Sequence, residues 1–497
     1  MTRNIIIKYQ SKSTNSLNLS IFIALMFILI PCFIYGQTAE DGDTLWTRTY
    51  GGELYDAAFS VQQISDGGYI ICGFTESFNL DERAVWLVKA DSNGDTLWTR
   101  IYMKGCTYSC QQTADGGYIL AGYTMTGICS DALLLKTNEE GNILWISIYG
   151  SPNNVDGINS VQQTSDGGYI AAGWTVLPGT RNSDIWLLKT NPHGDTLWTR
   201  IYGGDINEHA HSVQQTSDGG YIVTGWTKSF GAGWSDVWLL KLDEMGDTIW
   251  TRTYGRQYVD GGNSVCQTSD GGYVIAGYCE LLNHFNEDIW ILKTDEQGDI
   301  LWTRTYGGDG NERAESILQT IDGGYIVAGW TKSFGTSDED LWLLKTDEQG
   351  DTLWTRIYGG SDNDGGACIN KSTDGGYVIV GYTRSFGAGS QDMWLLKIDA
   401  TTGFDELPKP KEFVLDQNYP NPFNAETIIR YHLPEASNVT LEIYDLLGHK
   451  VEAPINKKQQ SGYHQVNWNG NDVSSGVYFY RIRAGVYNDT KMMLLIK

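Results

Sequence analysis

At 497 residues the chain has room for two to four domains. Its 12% aromatic and 41% hydrophobic content excludes a disordered chain. Sixty acids against 35 Lys and Arg give a net charge of -25, which excludes nucleic acid or an anionic membrane surface as the main partner, since both need a cationic face.

Residues 1–36 read as a secretory signal. Arg3, Lys8 and Lys12 form a basic start without acids, the apolar run Ile21–Ile30 follows, and Gly36 offers a small residue for cleavage. Ten apolar residues are short for a bilayer, so cleavage is expected and the mature chain carries no transmembrane helix. Cys32 follows Pro31, where lipid attachment normally wants a small residue.

Residues 37–403 are a repeat array of about 52 residues per unit. A Gly-x-x-x-Trp block recurs at Trp46, Trp98, Trp145, Trp198, Trp250, Trp302 and Trp354. Asp-Gly-Gly-Tyr begins at Asp66, Asp115, Asp166, Asp218, Asp270, Asp322 and Asp374, and a WLLK-like block ends each unit's third strand. Each unit holds four β-branched or aromatic stretches of strand length, with Asp-Gly-Gly as the first hairpin turn. Four meandering strands per unit predict a seven-bladed β-propeller, an all-β fold; a straight β-solenoid is the other architecture such repeats allow. The array opens with a lone Trp-bearing strand and stops after Ala400, so the segment around Trp46 should pair outside the strand around Trp394 and close the ring. The seven Trp side chains are expected to wedge between neighbouring blades. Gly-x-x-x-Trp resembles the tryptophan-docking repeat of quinoprotein dehydrogenases. The turn here is one residue shorter, so the resemblance implies the blade architecture and not the cofactor.

Residues 404–411, with Pro408-Lys409-Pro410-Lys411, read as a linker. Residues 412–497 alternate as strands of a small antiparallel sandwich, as at Val439, Leu441, Ile443 and at Val477, Phe479. Tyr419-Pro420-Asn421-Pro422-Phe423-Asn424, Ile443-Tyr444-Asp445 with Gly448, and Ser475-Gly476-Val477-Tyr478 resemble the type A C-terminal sorting domain of the type IX secretion system, an immunoglobulin-like β-sandwich. That resemblance implies the secretion machinery as partner, and passage to the outer surface or medium of a Gram-negative bacterium.

Function in a propeller sits in loops that vary on one face. Here these join strand two to three, and strand four to the next blade's strand one. Four residues before the inner-strand Ser (or Cys368) stands a carboxylate: Asp56, Asp156, Glu208, Asp260, Glu312 and Asp364, with Gly105 the exception in the shortened second unit. They are expected to form a ring at the channel mouth, either capping loop N–H groups or holding a cation such as Ca2+. Trp234, with Phe230 and Phe334, offers an aromatic platform, although the recurring Ser-Phe-Gly favours a structural role for the phenylalanines. His209 and His211 stand near Glu208 without further metal ligands in sequence. Asp91–Asp95 reads as a hairpin turn and not a calcium loop. Cys106 and Cys110 are the one close cysteine pair, open to a local disulfide. No nucleophile elbow, P-loop, HExxH or Rossmann fingerprint occurs. The reading is an exported, non-enzymatic binding or scaffold protein that requires no cofactor and takes carbohydrate or a surface protein. The alternatives are a secreted enzyme, quinoprotein-like dehydrogenase or polysaccharide-active hydrolase or lyase, and a purely structural adhesin.

Overall fold

A computed structural model describes residues 44–497 apart from 79, 81, 127–128, 151–153, 178, 281–285, 336–338, 400–412, 419–420, 460–461 and 472. The signal segment 1–36 and the linker 404–411 lie outside the described residues. The chain divides into two compact units, Met1–Gly403 and Phe404–Lys497.

The first unit is built from four-stranded antiparallel meanders, and no helix occurs among the described residues. The fourth blade shows why. Glu208–Gln215, Tyr221–Thr227, Asp236–Leu242 and Thr248–Tyr254 lie side by side in chain order. The turn between the first two needs Gly219 at φ 86°, a left-handed conformation that costs a glycine little. Asp218 Oδ1 accepts the Gly220 N–H (3.0 Å) and the Thr216 hydroxyl (2.6 Å), holding the turn shut. The buried Lys241 ammonium reaches the same carboxylate at 2.8 Å. All seven blades repeat this ion pair, from Lys89–Asp66 at 2.7 Å to Lys397–Asp374 at 2.7 Å. The recurrent acidity of the sequence is thus largely turn chemistry.

The ring closes as the order of repeats requires. Thr44–Tyr50 pairs antiparallel with Asp392–Ile398, placing Trp46 opposite Lys397, and completes the seventh blade. Ala58 and Val61 of the first inner strand share a cluster with Val378 and Val380 of the last blade. Inner strands are latched around the ring by glutamines: Gln112 N–H donates to Gln62 Oε1 (2.6 Å), Gln163 to Gln111 (2.6 Å), Gln215 to Gln162 (2.6 Å) and Gln267 to Gln214 (2.7 Å). Thr373 N–H reaches Gln63 Oε1 across the closure at 2.6 Å.

The outer-strand tryptophans lie between blades. Trp46, Trp98, Trp145, Trp198, Trp250 and Trp302 each pack edge-on or tilted against the Asp-Gly-Gly-Tyr tyrosine of the next blade, 5.6–6.0 Å between centroids. Each also covers the positive-φ glycine of that blade's last hairpin: a Cβ on Gly94 would stand 2.6 Å from the Trp46 ring. Trp354 packs against the cluster that contains Tyr377. The indoles are half-buried, not sealed.

One junction differs. Blades 1 and 2 form a continuous seven-stranded sheet, because Thr96–Gln112 is both the last strand of one and the first of the other. The connecting loop is absent there.

The second unit packs a three-stranded sheet, including Glu426–Leu433 and Gly462–Asn469, on a four-stranded one of order Lys450–Gln459, Ser437–Asp445, Gly476–Ala484, Tyr487–Leu495. Val439, Leu441 and Ile443 face the core. On Gly476–Ala484 the core face is Tyr478, Tyr480 and Ile482, opposite in phase to Val477 and Phe479. Tyrosine can enter because its hydroxyl is satisfied: Tyr480 donates to Asp416 O (2.7 Å) and accepts the Asn418 N–H (2.6 Å).

Candidate functional site

The six carboxylates of the variable face are fully buried, at 0–1% exposure. They do not form an open ring of oxygens at the mouth. Each caps its own loop. Glu208 accepts the N–H of Gly204 (2.9 Å) and Ser229 (3.0 Å) and the Thr227 hydroxyl (3.0 Å). Glu312 makes the same three bonds with Gly308, Ser333 and Thr331. Asp56 takes Gly52 N–H and Ser77 Oγ, Asp156 takes Thr175 Oγ1, Asp260 takes Arg256 N–H, and Asp364 takes Gly360 N–H. No group of three or more His, Cys, Asp or Glu among the described residues is arranged to hold a metal ion.

Each of these carboxylates faces a second one, an Asp at or near the start of the preceding blade's third strand; Asp236, Asp288, Asp340 and Asp392 are buried, and Asp131 and Asp184 are half-buried. A Cβ on Gly255 would lie 1.9 Å from Asp236 Oδ1 and 2.8 Å from Asp260 Oδ2. A Cβ on Gly51 would lie 1.8 Å from Asp392 Oδ1 and 2.8 Å from Asp56 Oδ2. Only glycine fits between the two acids. Burial first, then the facing carboxylate, pushes Asp260 and Asp392 up to about 6 and raises Asp184 beside Glu208. Such pairs favour holding a proton between them. At the blade 1–2 junction both members are missing together: Ala84 and Gly105 replace them.

The chemically varied residues lie further along the same inner strands. In every blade the pairing of the first two strands skips the residue before the inner-strand Ser or Cys368. These seven β-bulge residues are Phe59, Tyr108, Asn159, His211, Asn263, Glu315 and Ala367. All are half-buried, and no two neighbours are alike. A bulge re-aims its side chain and commonly borders a site. Here neighbouring bulges meet around the axis. Phe59 and Tyr108 meet edge-to-face at 5.1 Å, and His211 Nδ1 lies 2.8 Å from Asn263 Oδ1. Asn263 Nδ2 donates to Glu315 Oε2 at 3.1 Å.

A collar of aromatics surrounds this ring. Phe74, Tyr123, Trp174, Trp226, Tyr278, Trp330 and Tyr382 each follow the glycine of the second strand, and each lies cross-strand from the residue after the capping position. Where that neighbour is glycine the ring folds over it: a Cβ on Gly157 would stand 2.4 Å from the Trp174 ring. Trp174, His209 and Trp226 stack in series, at 5.1 and 4.6 Å. Burial, then His211 and Lys228, lowers His209 to about 4 and keeps it neutral. Burial pushes Glu315 up to about 7, while Trp330 Nε1 donates to its Oε1 at 3.2 Å. Arg313 lies over Tyr278 at 4.1 Å and is paired with Glu287. The mouth therefore offers many hydrogen-bonding groups, broad apolar edges and little unpaired charge.

The other candidates fall outside this constellation. Trp234 is 73% exposed at a loop tip. Phe230 and Phe334 pack against Trp238 and Trp342 of their own blades and serve the fold. Asp91 accepts the Asn93 and Asp95 N–H groups as a hairpin turn. Three residues vary between the capping position and the Ser or Cys368, inside a strand that otherwise repeats, but nothing in them marks which one bulges.

In the second unit Asn421 Oδ1 accepts the Leu494 N–H (2.8 Å), and Phe423 is buried against Trp468. The Asn-Pro-Phe-Asn motif thus stitches the start of the unit to its last strand. Gly448 takes φ 83° in the Asp445 turn, and Ser475 Oγ accepts the Lys497 N–H at 3.0 Å. Tyr478 donates to Ser474 O, and the neighbouring Gly476 and Val477 are half-buried. Tyr419 and Pro420 lie outside the described residues.

The fold is that of a seven-bladed propeller followed by a small β-sandwich unit. Residues 417–497 match the secretion system C-terminal sorting domain, which supports export of the chain through type IX secretion to the outer surface or the medium. Over 243 residues, 43% of this chain, it is 29% identical to the regulatory protein FlaEY of Caulobacter vibrioides, of whose length the match spans 25%. Among solved structures it is similar to PorZ, an essential bacterial surface component of the type IX secretion system of Porphyromonas gingivalis. There the identity is 12% and the TM-score 0.40, covering 90% of this chain and 60% of that one. The Pan2 WD40 domain of Neurospora crassa is 9% identical with a TM-score of 0.43, over 70% and 90% of the two chains.

Proposed function

We propose that the propeller is a non-enzymatic binding protein that captures a neutral, hydroxyl-bearing ligand, a carbohydrate chain, at the mouth of its central channel. The observation that carries this reading is the ring of seven bulge residues, no two neighbours alike, inside a seven-membered aromatic collar. Aromatic edges beside Asn, neutral His and a carboxyl near its titration point suit sugar hydroxyls better than an ion. Trp234 is an outer contact on the same face.

Glycan-array and titration binding test this. Trp226→Ala and Glu315→Gln should each weaken the bound glycan tenfold or more, about 1.4 kcal/mol, with an unchanged melting temperature. Trp234→Ala should cost twofold or less. Wild-type affinity in both mouth variants would overturn the reading. Glycan turnover lost in Glu315→Gln would favour the hydrolase alternative, for which the raised Glu315 carboxyl is the supporting group.

Export depends on the sorting unit. Deleting residues 412–497 should leave the propeller folded in the periplasm, measured by fractionation; normal appearance outside the cell would refute the assignment.

A further inference from the structure

Blades meet through one recurring apolar contact, between the fourth residue of a second strand and the sixth of the next blade's inner strand. Ala121 and Val161 share a cluster in this way, as do Ala172 and Val213, Ala276 and Ile317, and Ala328 and Ile369. At the blade 1–2 junction both places are cysteine, Cys72 and Cys110, in a single cluster. That junction is the one that lacks the carboxylate pair and the connecting loop.

The geometry brings the two sulfurs together. Cys72 pairs directly across the sheet with Ser60, so both side chains lie on one face of blade 1. Ser60 Oγ accepts the Cys110 N–H of blade 2 at 3.2 Å, and the Cys110 thiol lies 3.9 Å from Ser60 O. Cys106, by contrast, cannot reach Cys110. Four residues of extended strand separate them, about 13 Å, and a disulfide spans at most about 7 Å between Cα atoms. Cys106 instead packs with Ala57 and Phe74.

We propose that Cys72 and Cys110 form an interblade disulfide when the exported chain folds in an oxidising compartment. Two thiols lose two protons and two electrons to a dithiol-oxidising disulfide, such as oxidised glutathione or a protein disulfide oxidant. The first cysteine forms a mixed disulfide, and the second displaces the reduced carrier. At 0% and 6% exposure the thiols are sealed once blades 1 and 2 dock, so oxidation belongs to the folding step. The bond closes a long loop across the junction and replaces the carboxylate bridge as its tie.

The test uses the full chain, refolded with oxidised glutathione and, separately, recovered from the culture of a secreting host. Peptide mapping without reductant should find Cys72 joined to Cys110, with the other five cysteines from Cys106 to Cys368 alkylatable after denaturation. Reductant during refolding should lower the melting temperature by about 5–10 °C. It should leave the Cys72→Ala, Cys110→Val double variant, which restores the repeat's own residues, unchanged. Seven alkylatable thiols in the secreted protein, or a Cys106–Cys110 link, would overturn the inference.

Discussion

The stability of this protein should rise as pH is lowered from 8 to about 5, and fall again below about 4. Two classes of carboxylate oppose each other. Asp260 and Asp392 are pushed up to about 6, and Asp56, Asp184 and Asp236 are raised, by burial first. For Asp260, Asp392 and Asp184 the facing carboxylate adds to the rise. Their folded values exceed the unfolded value of about 3.9. The native state therefore binds the proton more tightly. Its penalty is absent below pH 4 and complete above about 6. The second class comprises the Asp-Gly-Gly acids. Burial alone would raise them, but hydrogen bonds and the buried lysine outweigh it; Asp166, Asp218 and Asp374 fall to about 2. Their stabilisation is present above about 3.9 and is lost as pH falls toward 2. The optimum lies between the two ranges.

Asp392→Asn isolates one pair. Its carbonyl still accepts the Ala388 and Gly389 N–H groups, and its amide can donate to Asp56. Holding the Asp392 carboxyl at about 6 costs its ionised form about 3 kcal/mol. The variant should gain up to that amount at pH 8 and almost nothing at pH 5, read from denaturant midpoints at four pH values. Parallel pH profiles of variant and wild type would refute proton sharing. A calcium-dependent gain at pH 8 that Asp392→Asn or Asp260→Asn abolishes would instead identify a cation in the pair.

The second large effect is removal of the first strand. Without Thr44–Tyr50 the seventh blade loses its outer strand, and Asp392–Ile398 becomes an open edge. Gly94 O loses the hydroxyl of Tyr50 (2.6 Å), a side chain only 1% exposed, and Trp394 Nε1 loses Thr47 Oγ1 (2.7 Å). Trp46 leaves the Gly94 hairpin uncovered. The melting temperature should drop by more than about 10 °C, from a loss of several kcal/mol in packing and hydrogen bonds. Leu45→Ala, at a half-exposed position on the same strand, should change it by less than about 2 °C. A truncated chain that melts with the wild type would show that closure rests elsewhere.

Much of this architecture is written in local chemistry. Asp-Gly-Gly-Tyr marks a turn wherever it stands, because the positive φ and the Asp-capped N–H groups are properties of four neighbouring residues. Trp46 before the first complete unit already implies that the ring is fastened by its first strand. The sorting unit announces itself through Asn421-Pro422-Phe423-Asn424. Phase was less legible: Val477 and Phe479 look like core residues, yet the tyrosine hydroxyls find partners inside and turn the strand over.

The candidate site was the least legible part. In sequence Asp56 and its counterparts read equally as loop caps or cation ligands, because a carboxylate's burial depends on the blade before it: the partner Asp lies roughly half a repeat upstream, or, for Asp56, at Asp392 across the closure. The bulge residues carry no local signature, since a bulge is a mismatch between two strands. Phe59, His211 and Glu315 meet their neighbours only across blades, about fifty residues apart in the chain. The seven blades, their closure and the export address follow from short-range turn, strand and motif chemistry, so they can be read along the chain. Which acids pair, which cysteines meet and which side chains line the inner strands depends on contacts that exist once the blades are packed side by side.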